Sequence, residues 1–117
     1  MDLCPMYSSE LVKETQKTII LRLLTEHKEM YGYEITQRVK ELTGGKIQIT
    51  EGALYPSLHA LEKDGLLTTE TMNIGKRVRK YYSLSKEGKN KAAEKITELS
   101  DFLNTMRFLL DLKPAQG

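Results

Sequence analysis

Apolar residues recur along this chain in four helical stretches and one alternating stretch, and that spacing orders most of it. Ser8-Ser9 can cap a helix from about Glu10 to His27, with Val12, Ile19, Ile20, Leu23 and Leu24 largely on one face. Thr15 to Lys17 interrupts that stripe, so the first half of the helix is expected to pack elsewhere or to hold a partner. After Lys28-Glu29-Met30 and Tyr31-Gly32-Tyr33, a second helix carries Ile35, Val39 and Leu42 inward and Glu34, Gln37, Arg38 and Lys40 outward. Thr43-Gly44-Gly45 stops it, because glycine reaches the left-handed conformation that a helix end favours. Ile47-Gln48-Ile49 alternates and predicts a very short strand. Thr50 is a natural N-cap for a third helix, which buries Leu54, Leu58 and Leu61 and closes at Asp64-Gly65. Leu66–Met72 and Val78–Leu84 read as the arms of a hairpin joined by Asn73-Ile74-Gly75-Lys76.

The last helix, from about Ser85 to Leu112, is the longest, and Lys113-Pro114 ends it. Ala92, Ile96, Leu99, Leu103, Met106 and Leu110 step by 4, 3, 4, 3 and 4, a heptad seam that Phe102 and Leu109 widen. About 28 residues at 1.5 Å each make a rod of ~42 Å, longer than so small a domain can cover. The seam therefore calls for a second surface. The same helix of another copy, in a two-fold dimer, is the favoured one, and a helix folded back on its own domain is the alternative.

The length of 117 residues is that of one domain. A hydrophobic fraction of 39% with 29% charged residues is too apolar for a disordered chain and too polar for a membrane protein. The N-terminus MDLCPMYSSELVKE lacks a basic stretch followed by an apolar one, so no signal peptide and a cytoplasmic location are expected. Cys4, the only cysteine, cannot form an internal disulfide or a cysteine-rich zinc module. His27 and His59 lie in different segments, and no HxxxH, CxxC, GxSxG or glycine-rich phosphate loop occurs. The expectation is a non-enzyme with no cofactor and no metal.

The net charge of +2 hides a segregation. Asn73 to Lys91 holds seven basic residues and one acid, a balance of +6 that leaves −4 on the rest of the chain. A basic patch on a nearly neutral protein is the footprint of a polyanion binder, although a solvated hairpin would carry the same charges. The element order agrees with the first reading. Helix, helix, short strand, helix and hairpin is the winged helix-turn-helix arrangement, here mainly α with a small β-hairpin plus a long C-terminal dimerisation helix. We divide it as residues 1–84, the winged helix-turn-helix unit, and 85–117, the dimerisation helix of the same compact body.

Three motifs sharpen this. Gly52-Ala53-Leu54-Tyr55-Pro56-Ser57-Leu58-His59-Ala60-Leu61-Glu62-Lys63-Asp64-Gly65-Leu66-Leu67 resembles the signature of the PadR family of bacterial transcriptional regulators. Tyr31-Gly32-Tyr33-Glu34-Ile35 is similar to that family's second-helix start, and Arg79-Lys80-Tyr81-Tyr82-Ser83-Leu84-Ser85-Lys86-Glu87-Gly88 to its wing and following helix. The resemblance runs from roughly Val12 to Leu110 and is to the short subgroup with a single C-terminal helix. It implies a homodimeric repressor that binds a double-stranded DNA operator and responds to a small effector, usually aromatic or amphipathic. It further implies DNA contact by Tyr31 and Gly32, by Thr50, Gly52, Ala53, Tyr55, Pro56 and His59, and by Lys76, Arg77 and Lys80 of the wing. The dimer interface it implies comprises Ala92, Ile96, Leu99, Phe102, Leu103, Met106 and Leu110. Some short members hold planar drugs between tryptophans, and this chain has none. An effector cavity would instead be lined by Leu11, Thr15, Ile19, Ile96 and Leu99, and a fully packed dimer core is the alternative.

Blander readings stand beside these. Tyr55 can be a core-edge aromatic with its hydroxyl as a handle, and His59 an ordinary surface residue. Only one of Tyr81 and Tyr82 can enter the core, since they point to opposite faces of a strand. A winged helix can also serve as a protein-docking module without nucleic acid.

Overall fold

In the computed structural model, which describes residues 6–114, the chain forms five helices and one small sheet. They follow the order α1 (Ser9–Lys13), α2 (Gln16–Glu26), β1 (Met30–Tyr31), α3 (Gly32–Leu42), α4 (Glu51–Lys63), β2 (Leu67–Ile74), β3 (Arg77–Leu84) and α5 (Lys86–Leu110). The expectations placed on Cys4 and on the first residues lie outside the described part. The sheet is antiparallel in the order β1-β3-β2, so the hairpin's return strand is central. Leu54, Leu58 and Leu61 of α4 meet Ile20, Leu21, Leu23 and Leu24 of α2 and Ile35 and Val39 of α3 in one core. Each such side chain contributes about 1.5–3 kcal/mol by leaving water.

Several expectations need correction. The single first helix is two, because the chain turns at Glu14-Thr15. Thr15 Oγ1 donates to the Val12 carbonyl at 3.0 Å, and Gln16 is buried, its Oε1 accepting from Ser57 Oγ of α4 at 3.3 Å. A buried amide held from across the core breaks a stripe that would otherwise continue. Ile47-Gln48-Ile49 forms no strand. Ile49 is buried as a loop anchor, while Thr43 Oγ1 accepts from the Ile47 N–H at 3.0 Å. The third strand is Met30–Tyr31, which pairs Met30 with Tyr82 and Tyr31 with Tyr81. Leu42, expected inside, is 60% exposed at the end of α3. The hairpin is also tighter than its turn residues suggest. Asn73 and Ile74 continue the strand, Ile74 pairs with Arg77, and Gly75 at φ 62° makes a two-residue turn.

Tyr82 takes the core side of β3 and Tyr81 the other, as the alternation requires. Ser85 caps α5 by accepting from the Gly88 N–H at 2.9 Å. The same hydroxyl donates to the Gly65 carbonyl at 2.6 Å, and the Ser85 N–H donates to the Leu66 carbonyl at 3.0 Å. Gly65 itself, at φ 78°, ends α4 in the left-handed conformation.

The first half of α5 packs on its own chain: Ala92 is 1% exposed, and Ile96 lies against the core. Ala92 therefore has no surface left for a second copy, which corrects its place in the expected interface. Beyond Leu99 the helix leaves the body, with Phe102, Leu103, Phe108, Leu109 and Leu110 all more than half exposed. The radius of gyration, 16.9 Å, exceeds the ~13 Å of a compact chain this long, because the wing and the end of α5 project.

Gly88 allows the closest approach at the junction of α4 and α5, since a Cβ there would collide with the Leu66 carbonyl oxygen. Gly88→Ala is expected to cost about 1–3 kcal/mol, a fall of roughly 5–15 °C in Tm. Thermal unfolding followed by circular dichroism measures it; an unchanged Tm would mean the junction yields.

Candidate nucleic-acid interface

With its leucines turned inward, α4 exposes Gly52, Tyr55, Pro56, His59 and Lys63. Thr50 caps the helix, its Oγ1 accepting from the Ala53 N–H at 3.3 Å, and its hydroxyl proton stays free to donate. Pro56 is the sixth residue of α4, past the first turn, so its missing N–H leaves the Gly52 carbonyl without its helical partner. Gly52 has nothing nearer than Thr50 Oγ1, 4.0 Å from where a Cβ would stand. The first turns of α4 thus present bare backbone to solvent.

Two grooves flank this surface. One, of about 360 Å³, lies between α3 and the wing and brings together Tyr31, Gly32, Tyr55, His59 and Lys80. Gly32 is buried beneath the Tyr55 ring: a Cβ there would sit 2.5 Å from the Tyr55 hydroxyl. Tyr55 remains 37% exposed, so it is both a packing residue and a surface one. The other groove, of about 650 Å³, lies between α4 and the α1–α2 turn and holds Gly52, Ala53 and Pro56 with Lys13 and Lys17. Glu10 and Glu14 line it too, so that flank is mixed in charge. Lys76 and Arg77 belong to neither groove and stand at the tip of the hairpin.

The wing's cations differ in their commitments. Lys76 and Arg77 are exposed and form no ion pair among the described residues. Lys80, expected to contact DNA, has its Nζ 3.5 Å from Glu62 Oε1 and 5.5 Å from the Tyr82 ring centre. The other Glu62 oxygen accepts from Thr69 Oγ1 at 3.2 Å, so one carboxylate ties both wing strands to α4. An ion pair this exposed adds little stability and acts as a positional tie. Burial raises the Tyr82 hydroxyl above its ordinary pKa, with Lys80 opposing. Arg79, which the sequence sets behind the tip, lies over the Tyr31 ring with its Cζ 4.3 Å from the centre. Lys13, Lys17 and Tyr33 are residues of this surface that sequence reasoning left out of the site. The contact of Arg79 with Tyr31 was equally out of reach, because it depends on the Met30–Tyr31 strand, which two residues are too few to reveal.

A third, apolar region lies between α2, the end of α3 and α5. Two adjoining grooves of about 370 and 340 Å³ share Ile19, Ile47, Leu99 and Leu103. Ile96 lines the first, and Leu11 and Thr15 line the second, so all five residues expected around an effector border one trough. Among the described residues no cluster of His, Cys, Asp or Glu could hold a metal, and no helix is long and apolar enough to cross a membrane.

Residues 20–94 match the pattern of the transcriptional regulator PadR-like family. The chain belongs to that family. The match spans α2 through the first part of α5 and stops before the exposed end of that helix. A transcriptional regulator of Mycobacterium tuberculosis is 32% identical over 81 residues, 67% of this chain and 73% of the relative. An uncharacterised protein of Lysinibacillus sphaericus is 34% identical over 99 residues, 82% of this chain and 88% of that one. Among solved structures, a transcriptional regulator from Clostridium thermocellum superposes with a TM-score of 0.77 at 30% identity, covering 92% of this chain and all of its own. A PadR-family regulator from Eggerthella lenta gives 0.74 at 31%, covering 89% and 88%. The PadR-like family, the Mycobacterium tuberculosis relative and the two solved neighbours are transcriptional regulators, not enzymes.

Gly52→Ala separates folding from function at this surface. With open space around the added methyl, the variant is expected to be as stable as the parent or up to about 1 kcal/mol more so. Denaturant unfolding measures this, and a clear loss would show that Gly52 serves the fold.

Proposed function

We propose that this PadR-like chain is a sequence-specific, double-stranded-DNA-binding transcriptional repressor that works in the cytoplasm as a homodimer and is released by a small apolar or aromatic effector. The observation that carries the reading is the bare start of α4, where Gly52 stands in open space and its carbonyl lacks the i+4 donor at Pro56, beside an exposed cationic wing tip. A helix ~10–12 Å wide enters a major groove of ~12 Å. Small residues at its start let the backbone approach base edges, with Thr50, Tyr55, Pro56 and His59 alongside. The wing then lies over the phosphate backbone, where Lys76 and Arg77, without an acidic partner among the described residues, neutralise charge. Tyr31 and Gly32 border the groove between α3 and the wing.

The exposed apolar end of α5 supports the dimer. Leu103, Met106 and Leu110 continue the heptad seam, Phe102 and Leu109 widen it, and Ile96 and Leu99 join it to the body. A two-fold pairing of these helices would set two α4 helices about one turn of DNA, ~34 Å, apart for a pseudo-palindromic operator. The trough between α2 and α5 supports the effector. A ligand there would contact Leu99 and Leu103, which also stand on the seam, so it could favour a protomer spacing that no longer fits the operator. Release requires that it bind one spacing better than the other.

Binding of operator fragments across a range of salt concentrations tests the DNA reading. Affinity should fall with salt, each neutralised phosphate adding about −0.9 to the slope of log K against log salt. Lys76→Ala should weaken all sequences alike and reduce that slope by about one. A flat slope would favour a protein-docking role instead. Sedimentation equilibrium tests the pairing: the parent should run at twice the 13.4 kDa chain mass and Leu103→Glu at the single mass. A single-mass parent that still binds its operator tightly would overturn the dimer.

A further inference from the structure

Tyr31, Arg79 and Tyr81 form one unit on one side of the sheet. Tyr31 pairs directly with Tyr81, and Arg79 stands two residues earlier on the same strand, hence on the same face. The two rings meet edge to face with centres 5.5 Å apart at 73°. That contact turns the Tyr31 face toward Arg79, whose Cζ lies 4.3 Å above it. The ring Tyr31 offers is thus already occupied by a guanidinium from its own chain.

Arg79 has none of the alternative partners that would explain its order. Among the described residues no carboxylate lies within ion-pair distance of it, whereas Lys80 beside it is held by Glu62. It is half-buried where Lys76 and Arg77 are exposed, and it borders the groove that also contains Gly32 and His59. A guanidinium stacked on an aromatic face keeps its five N–H donors in the ring-parallel plane, free for an anion at its edge. Long side chains lose rotamer freedom when a ligand immobilises them, and a stack made beforehand removes part of that cost.

We infer that Tyr31 is a positioning residue, holding Arg79 stacked at the mouth of the groove between α3 and the wing so that its guanidinium edge receives a backbone phosphate. The assignment rests on the DNA-binding reading above and differs from direct contact by the Tyr31 hydroxyl. It makes the ring essential and the hydroxyl dispensable.

The full-length protein and an operator fragment provide the test. Tyr31→Leu, which keeps apolar bulk but loses the ring, should bind about three- to fivefold more weakly than Tyr31→Phe, which keeps the ring. Arg79→Ala should lose more and lower the salt slope by about one. In the Arg79→Ala background, Tyr31→Leu should cost less than twofold. In the DNA-free protein, the ring current should shift the Arg79 δ-protons upfield, and the shift should persist in Tyr31→Phe and vanish in Tyr31→Leu. Equal losses from Phe and Leu, additive losses in the double variant, or unshifted δ-protons would each overturn the assignment while leaving DNA binding intact. An unaltered chain that binds no duplex would overturn both, and the proton shifts would still report whether the stack exists.

Discussion

Three working parts of this molecule, the exposed helix α4, the wing and the long helix α5, leave from a single knot of backbone at Gly65, Leu66, Ser85 and Gly88. Ser85 does three things there. Its N–H donates to the Leu66 carbonyl, its hydroxyl donates to the Gly65 carbonyl, and the same oxygen caps α5 through the Gly88 N–H. Leu67 and Leu84, paired immediately beyond, close the base of the hairpin. The arrangement satisfies two carbonyls just beyond the end of α4 and one of the first donors of α5 within the same few ångströms. It works only because residue 88 has no side chain to keep the two backbones apart. The junction therefore sets where α4, the wing and α5 leave one another, and the Glu62 tie to the wing and the burial of Ala92 hold their directions further out.

From that base the hairpin has two chemically distinct faces. On one, Tyr82 enters the core and Lys80 answers Glu62, which also takes Thr69, so this face is tied to α4. On the other, Tyr31 and Tyr81 meet edge to face and the Arg79 guanidinium lies over the Tyr31 ring. The tip beyond, with Lys76 and Arg77, has neither tie. Cations along a single strand thus pass from anchored through stacked to free as they approach the turn. The charge tally of the segment, seven basic residues to one acid, does not contain that gradient. Alternation along the strand and the position of one short partner strand create it.

Legibility from sequence followed the same physical lines. The three leucines of α4, the Thr50 cap, the glycine stops after α3 and α4, and the long last helix all depend on contacts within a few residues, and each could be read from spacing. The break at Thr15 depends on Gln16 being held by Ser57, forty-one positions away, and no local period encodes it. The β1 strand has only two residues, stabilised by a partner fifty positions later, and the alternating Ile47-Gln48-Ile49 looked more strand-like than Met30-Tyr31 did. For the candidate site, composition located the cationic stretch and the motif located the exposed helix. Which cations are free, and which aromatic carries one of them, required the cross-strand register.

The last helix serves two purposes in succession, and the boundary between them falls inside the apolar trough. Up to Ile96 its seam is spent on its own core, with Ala92 sealed. From Leu103 onward the same seam is largely exposed, with only Met106 partly covered, and an apolar surface of that extent is unfavourable in water unless something covers it. Leu99 and Leu103 stand at the crossing and line both trough grooves. A heptad stripe that runs without interruption through such a crossing makes the packing of α5 on α2 and the angle at which it meets any covering surface one mechanical variable. A ligand in the trough that tilted the rod about its sealed end at Ala92 would produce a displacement that grows along the remaining 18 residues to Leu110, about 27 Å of helix. In the proposed dimer that lever is what would connect an apolar ligand to the separation of two distant wings, with no contact between ligand and wing required.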